Sequence, residues 1–227
     1  MSARICVSIL PKGMAEALRL IEKAEKAKAD FIEIRLDYLE QSRKLKDLSS
    51  STRIPLIATN KLLIEKGFFA GTEAERQQTL LNAASNGFEY VDVDSSSLLR
   101  EETIRQIRAF GANPIVSYHN YDGVLNTAKM ESILNEHIVN GAAVCKIITT
   151  AKRVEDNLPV LSFVSFASAK AKLVCFCMGE EGKISRLLSP IFGAYFTFAS
   201  LEGNSTAPGQ MSITEMRKAY ALLGIKQ

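Results

Sequence analysis

A single lysine, Lys146, interrupts the apolar run in "AAVCKIITTAKRVEDN" (residues 142–157), and a histidine, His119, closes the run "PIVSYHN" just upstream. An amine and an imidazole together suit one chemistry. A neutral lysine adds to a carbonyl to give an imine; the iminium acidifies the adjacent carbon, and a histidine can take that proton and later hand one to a leaving group. A lysine amine ordinarily titrates near about 10.4, so little of it is nucleophilic at neutral pH. Apolar burial and neighbouring cations such as Arg35 or Arg186 would disfavour the ammonium and raise that fraction. The competing reading is a structural ion bridge from Lys146 to Glu33 or Asp92, and the lysine segment alone leaves the two open. His119, with a titration expected close to the working pH, favours chemistry.

Charge recurs in other strand-like runs. In "FIEIRLD" a period of two puts Glu33, Arg35 and Asp37 on one face, and "YVDVD" does the same with Asp92 and Asp94. An exposed antiparallel sheet would need no more than a wet face to explain this, and a buried salt-bridge lattice is a further alternative. The segment "ATNKLLIEKGFFAG" carries Lys61 and Glu65, where a carboxylate could fix one imidazole tautomer. Arg186 offers a planar fork for a carboxylate, and "EGNSTAPGQMS", which contains Gln210, reads as a loop able to close over a small polar ligand. The other histidine, His137 in "KMESILNEHIV", falls among helical positions and reads as structural.

The elements that must position these groups alternate along the chain. "RICVSI", "FIEIRLD", "PLIATN", "YVDVD", "PIVSYHN", "AAVCKIIT", "KLVCFCMG" and "AYFTFAS" read as strands bounded by Pro, Gly, Asn, Asp or Ser. Amphipathic segments lie between them; in the first, Met14, Ala17, Leu18, Ile21 and Ala24 recur at helical spacing while "EKAEKAK" supplies the wet face. Eight such units in 227 residues favour an α/β TIM barrel, a single (β/α)8 domain over residues 1–227 with a closed parallel sheet. Helices then cover the outer strand face, so Glu33, Arg35, Asp37 and Lys146 should point inward, with His119 at the carboxyl rim where barrel active sites are built.

Composition excludes several classes. The chain is 47% hydrophobic with 28 basic against 25 acidic residues, and the charges are interspersed, so no basic stripe for nucleic acid is expected. No signal peptide and no membrane-spanning run is legible, which leads to the expectation of a cytoplasmic protein. Cys6, Cys145, Cys175 and Cys177 sit in apolar strand-like runs and read as reduced small hydrophobes; "CFC" has no partner set for a metal, and none is expected.

Taken in order, "EIRLD", "SYHN", the lysine of "CKIITTAKRVEDN", "MGEEGKISRLLSPIFGAYFTF" and "STAPGQMS" resemble the type I 3-dehydroquinate dehydratases of the shikimate pathway over nearly the whole chain. The resemblance implies an eightfold barrel that dehydrates 3-dehydroquinate to 3-dehydroshikimate by syn elimination through an imine, without metal or organic cofactor. It implies Lys146 as the imine-forming residue, His119 as base and acid, and Glu65 as its orienting partner. It implies Glu33 and Arg35 at the substrate hydroxyls, Arg186 at the carboxylate, Gln210 on the closing loop, and Met178 and Phe198 as apolar walls. It also implies Lys61 and Thr206 as substrate ligands, and these two positions depart from the family pattern: Lys61 stands where relatives often carry arginine, losing the bidentate fork, and Thr206 stands where serine is usual, keeping the hydroxyl and with it the expected contact. An amino-terminal β-ribbon found in some relatives is expected to be short or absent. Relatives are often dimers, so a homodimer is expected. The alternatives are a class I aldolase, whose phosphate grip would replace Arg186, or a ligand-binding barrel without chemistry.

Overall fold

A computed structural model describes residues 3–40, 44–203 and 209–225. Its strands are β1 (Ile5–Ile9), β2 (Phe31–Arg35), β3 (Leu56–Thr59), β4 (Tyr90–Asp94), β5 (Asn113–His119), β6 (Val144–Thr150), β7 (Leu173–Met178) and β8 (Thr197–Ala199). The helices between and after them are α1 (Met14–Lys26), α2 (Leu45–Ser50), α3 (Glu73–Ser85), α4 (Arg100–Ala109), α5 (Thr127–Val139), α6 (Asn157–Ala167), α7 (Lys183–Leu188) and α8 (Ile213–Leu222). Every strand pair is parallel, in the order β7-β6-β5-β4-β3-β2-β1-β8. The Tyr195 N–H donates to the Leu173 carbonyl at 2.7 Å across the remaining gap, so the sheet forms a nearly closed barrel.

Strand alternation divides the apolar residues into an outer and an inner layer, as a sheet covered by helices on one face requires. On β1, Ile5, Val7 and Ile9 join Ala17, Leu20, Ile21 and Ala24 of α1. Leu18, expected on that stripe, is more than a third exposed; Leu20 takes the inward place one turn on from Ala17. Cys175 and Cys177 pack outward against Val160, Phe163 and Val164 of α6, and all four cysteines are buried free thiols. The inner layer is Cys6, Phe31, Ile57, Tyr90, Ile115, Val144, Val174 and Phe196, with Phe176 and Phe198 above them.

Aromatic rings plug the amino-terminal end of the cylinder. Phe31 meets Phe196 at 4.7 Å and Tyr90 edge-on at 5.8 Å, and the Tyr90 and Tyr195 hydroxyls hydrogen-bond at 3.0 Å. The plug leaves the carboxyl end of the barrel for the pocket.

Two strands are shorter than the sequence reading expects, β2 at its end and β8 chiefly at its start. β2 ends at Arg35, and Leu36–Tyr38 turn as a 3-10 helix, so Asp37 leaves the inward register. β8 is confined to Thr197–Ala199 because the chain is still completing the turn after α7, where the Ala194 N–H reaches the Ser189 carbonyl at 2.9 Å. At the carboxyl rim Gly179 and Gly209 both adopt left-handed φ angles (91° and 69°), and a Cβ on Gly209 would lie 2.0 Å from the Gly179 carbonyl oxygen. Glycine at 209 therefore lets the loop after β8 touch the loop after β7.

Candidate active site

The inward side chains at the carboxyl ends of the strands form one polar floor. Ser8 of β1 and Thr59 of β3 donate to the Glu33 carboxylate of β2, at 2.5 and 2.9 Å. Lys146 of β6, opposite Ser117 of β5, donates to Asp92 Oδ2 at 2.9 Å and stands 3.7 Å from Glu33 Oε1. Its ammonium also lies 4.5 Å from the centre of the Phe198 ring. With 7% of its side chain exposed, Lys146 points into the barrel. The ion bridge weighed on sequence is therefore present, to Asp92 and Glu33 together, and it is made by an amine that faces the barrel interior.

Asp92 is shared by two lysines. Its Oδ1 accepts from Lys61 at 3.0 Å and from the Ser117 hydroxyl at 2.7 Å, while Lys61 also donates to Asp94 at 2.9 Å and to Ser117 at 2.8 Å. Burial opposes the Asp92 charge, but Lys146 and Lys61 outweigh it and hold the carboxyl well below the usual range. Burial likewise opposes the Lys61 charge, and Asp92 and Asp94 overcome it, keeping the ammonium well above its ordinary titration. The cation beside Lys146 is thus Lys61, across a shared carboxylate.

His119 ends β5 half-buried in the same pocket. Burial, then the Lys61 and Lys146 charges, push its imidazole down to about 3 against the pull of Asp92 and Asp94. That is below the near-neutral value expected from sequence, and it leaves the ring uncharged at neutral pH. Tyr121 stacks on it, centroids 6.1 Å apart, and donates its hydroxyl to the Glu65 backbone carbonyl at 3.1 Å.

Glu65 lines the pocket with His119, yet its carboxylate partners are elsewhere. Arg76 of α3 donates to both oxygens, at 2.9 and 2.7 Å, and the Ser96 hydroxyl reaches one at 3.3 Å. Arg35 also lines the pocket and is held bidentately by Asp37, at 2.8 and 2.6 Å; Asp37 in turn accepts from the Phe68 N–H at 3.0 Å. Asp37 thereby braces an arginine and a loop, a role that its place on the strand did not announce.

Across the pocket, Arg186 is 2% exposed, lies 4.4 Å from the centre of the Phe176 ring, and has no carboxylate partner among the described residues. Burial pushes its guanidinium down to about 10, still protonated at neutral pH. Met178, Phe198 and Gln210 complete the wall, while Thr206 lies outside the described residues. Ser8, Thr59, Lys66, Tyr121 and Phe176 also face the pocket, and sequence reading passed over them; Ile148, which alternation puts on the Lys146 face, lines it too. Alternation would have found Ser8 from Cys6, and Phe176 from Met178; Tyr121 and Lys66 lie on loops, where no period operates.

Buried cations, an uncharged imidazole and hydroxyl donors around one apolar-walled pocket suit a small polyhydroxylated carboxylate bearing a carbonyl. Comparison with known proteins agrees. A sequence model of type I 3-dehydroquinase matches residues 5–227. The 3-dehydroquinate dehydratase of Dehalococcoides mccartyi is 36% identical over 217 residues, covering 95% of this chain and 94% of that one. The Desulfotalea psychrophila enzyme of the same name is 34% identical over 230 residues, covering 97% and 98%. In fold, the chain matches the crystal structure of 3-dehydroquinate dehydratase from Geobacillus kaustophilus with a TM-score of 0.91 at 24% identity, over 99% of this chain and 92% of that one.

Proposed function

Since this chain belongs to the type I 3-dehydroquinase family and is a dehydratase of 3-dehydroquinate, we propose that Lys146 is its imine-forming residue and His119 its proton carrier. The observation that supports this most is that Lys146, His119 and Arg186 line one pocket. Lys146 adds through Nζ to the ring ketone, and loss of water gives an iminium that acidifies the adjacent C–H. His119, neutral in the free enzyme, takes that proton and leaves an enamine. The enamine then expels the β-hydroxyl, which leaves as water with the proton from His119, and hydrolysis of the conjugated iminium returns the amine and 3-dehydroshikimate.

The remaining residues bind and hold. Arg186 is the one buried guanidinium on the wall without a carboxylate partner among the described residues, which suits the substrate carboxylate. Arg35, fixed by Asp37, and Glu33, fixed by Ser8 and Thr59, present polar edges to the substrate hydroxyls. Phe198 and Met178 exclude water from the imine, and Gln210 belongs to the loop over the pocket, with Thr206 in the same stretch of sequence. The Glu65 loop orients the imidazole through its backbone, the Glu65 carbonyl holding the Tyr121 hydroxyl whose ring stacks on His119, while the Glu65 carboxylate is tied to Arg76. A cytoplasmic homodimer is part of the same reading, supported by the likeness to the family; a sedimentation velocity run showing only monomer would remove the dimer.

Borohydride reduction in the presence of 3-dehydroquinate, followed by intact-protein mass, tests the assignment. Wild type should gain one reduced adduct located on Lys146, Lys146→Ala should gain none and turn over nothing, and His119→Ala should still trap the adduct while losing turnover. An adduct that persists in Lys146→Ala, or none on wild type, would sink it.

A further inference from the structure

We infer that Lys61 is a positioning residue, an ammonium that neutralises the Asp92–Asp94 pair beneath the reaction centre and holds Asp92 in place for Lys146, and that it does not grip the substrate. This rests on the assignment of Lys146 and His119 above. An ammonium has three N–H donors, and all three of Lys61 are engaged: Asp92 Oδ1 at 3.0 Å, Asp94 Oδ2 at 2.9 Å and the Ser117 hydroxyl at 2.8 Å. Ser117 is tied into the same tripod, because its own proton goes to Asp92 Oδ1 at 2.7 Å. A substrate oxygen could be bound only by giving up one of these contacts. Lys61 is also buried, its side chain 9% exposed, and Asp92 is wholly buried, so each lost contact would strand a charge away from water.

The charge count at the floor gives the tripod its purpose. Three carboxylates, Glu33, Asp92 and Asp94, face two ammonium groups, Lys61 and Lys146. Without Lys61, Asp94 would lose its ammonium partner and Asp92 would be left with Lys146 alone, the group that must leave its ion pair to attack a ketone. With Lys61 in place, Asp92 presents one oxygen to each lysine, and Asp94 is satisfied without reaching Lys146. Beyond the floor, the Ser96 N–H and hydroxyl hold the other Asp94 oxygen at 3.0 and 2.7 Å, and Ser96 extends the network to Glu65. Lys61 therefore joins the lysine side of the site to the loop side, where His119 also sits.

The test replaces Lys61 by methionine, which keeps the length and removes the charge, and by arginine. Lys61→Met should lower kcat roughly 100-fold through misplacement of Asp92 and Lys146, with KM for 3-dehydroquinate held within about threefold. The groups facing His119 are Lys61, Lys146, Asp92 and Asp94 on the strands and their ends, Tyr121, Glu65 and Lys66 from the loops, and Lys129 and Glu136 from α5. Removing one cation from that set should move the acid limb of kcat/KM to higher pH, whereas Lys61→Arg should hold the limb in place by keeping the charge. A tenfold or greater rise in KM with kcat retained would overturn the inference and make Lys61 a substrate ligand. If Lys61→Met does not fold, Ser117→Ala removes one leg of the tripod without touching a charge and should show the same fall in kcat at unchanged KM; a rise in KM alone would again overturn it. The borohydride adduct on wild-type Lys146 is measured first, so that its absence indicts the imine assignment and its presence isolates the role of Lys61.

Discussion

The two histidines of this chain show how little residue type says without surroundings. His119 stands at a strand end among two ammonium groups and two carboxylates, and burial with the cations keeps it uncharged, as a base must be before it accepts a proton. His137 sits inside α5 at 0% exposure, neither ring nitrogen has a hydrogen-bond partner among the described residues, and burial pushes it down to about 4. A folded-state value below the unfolded one means that the unfolded chain takes up a proton that the folded chain refuses, so His137 costs stability as pH falls from about 6.5 toward 4. At pH 5 this amounts to about 2 kcal/mol. The variant His137→Leu should therefore narrow the gap between melting temperatures at pH 7.5 and pH 5 with kcat unaltered at pH 7.5. An unchanged gap would show that the acid sensitivity lies elsewhere. Sequence periodicity placed His137 in a helix correctly, but its lack of any partner depends on what packs around it.

Helix α3 links stability to the site at the level of one element. Thr72 caps it in a reciprocal box with Glu75, and one turn in, Arg76 reaches out to Glu65 and Glu73. Arg76 is 2% exposed, so a buried guanidinium anchors the Glu65 carboxylate in addition to the loop's own backbone hydrogen bonds, among them Glu65 N–H to the Leu62 carbonyl at 2.9 Å. Thr72→Ala should cost about 1 kcal/mol in urea unfolding and leave kcat intact, since only the cap is lost. Arg76→Ala should cost about 3 kcal/mol by stranding two carboxylates, and it should lower kcat as well, since Glu65 is set free. Equal kinetics in the two variants would separate the Glu65 loop from catalysis. The capping pattern was legible as Thr-x-x-Glu; the Arg76–Glu65 tie was not, because it crosses from a helix to a preceding loop with no fixed spacing.

For the molecule as a whole, aromatic packing at one end of the barrel is what leaves the other end to chemistry. Phe31 contacts Tyr90, Tyr195 and Phe196 and takes no part in lining the pocket. Phe31→Ala should cost about 3–5 kcal/mol in denaturant, as other large buried truncations do, while KM of the folded fraction stays as in wild type; a raised KM would mean that floor and pocket are mechanically coupled. Strand count, parallel order, the inward parity of Glu33, Arg35 and Lys146 and the rim position of His119 were all present in the sequence, because alternation and β-branched runs are local properties of the chain. Tertiary structure alone decided that Asp92 serves two lysines at once, that Lys61, on the pocket wall, spends every donor on Asp92, Asp94 and Ser117, and that Glu65 answers to Arg76. Those contacts join residues 11 to 56 positions apart on different elements, and hydrogen bonding between side chains follows distance in space, which no spacing along the chain encodes.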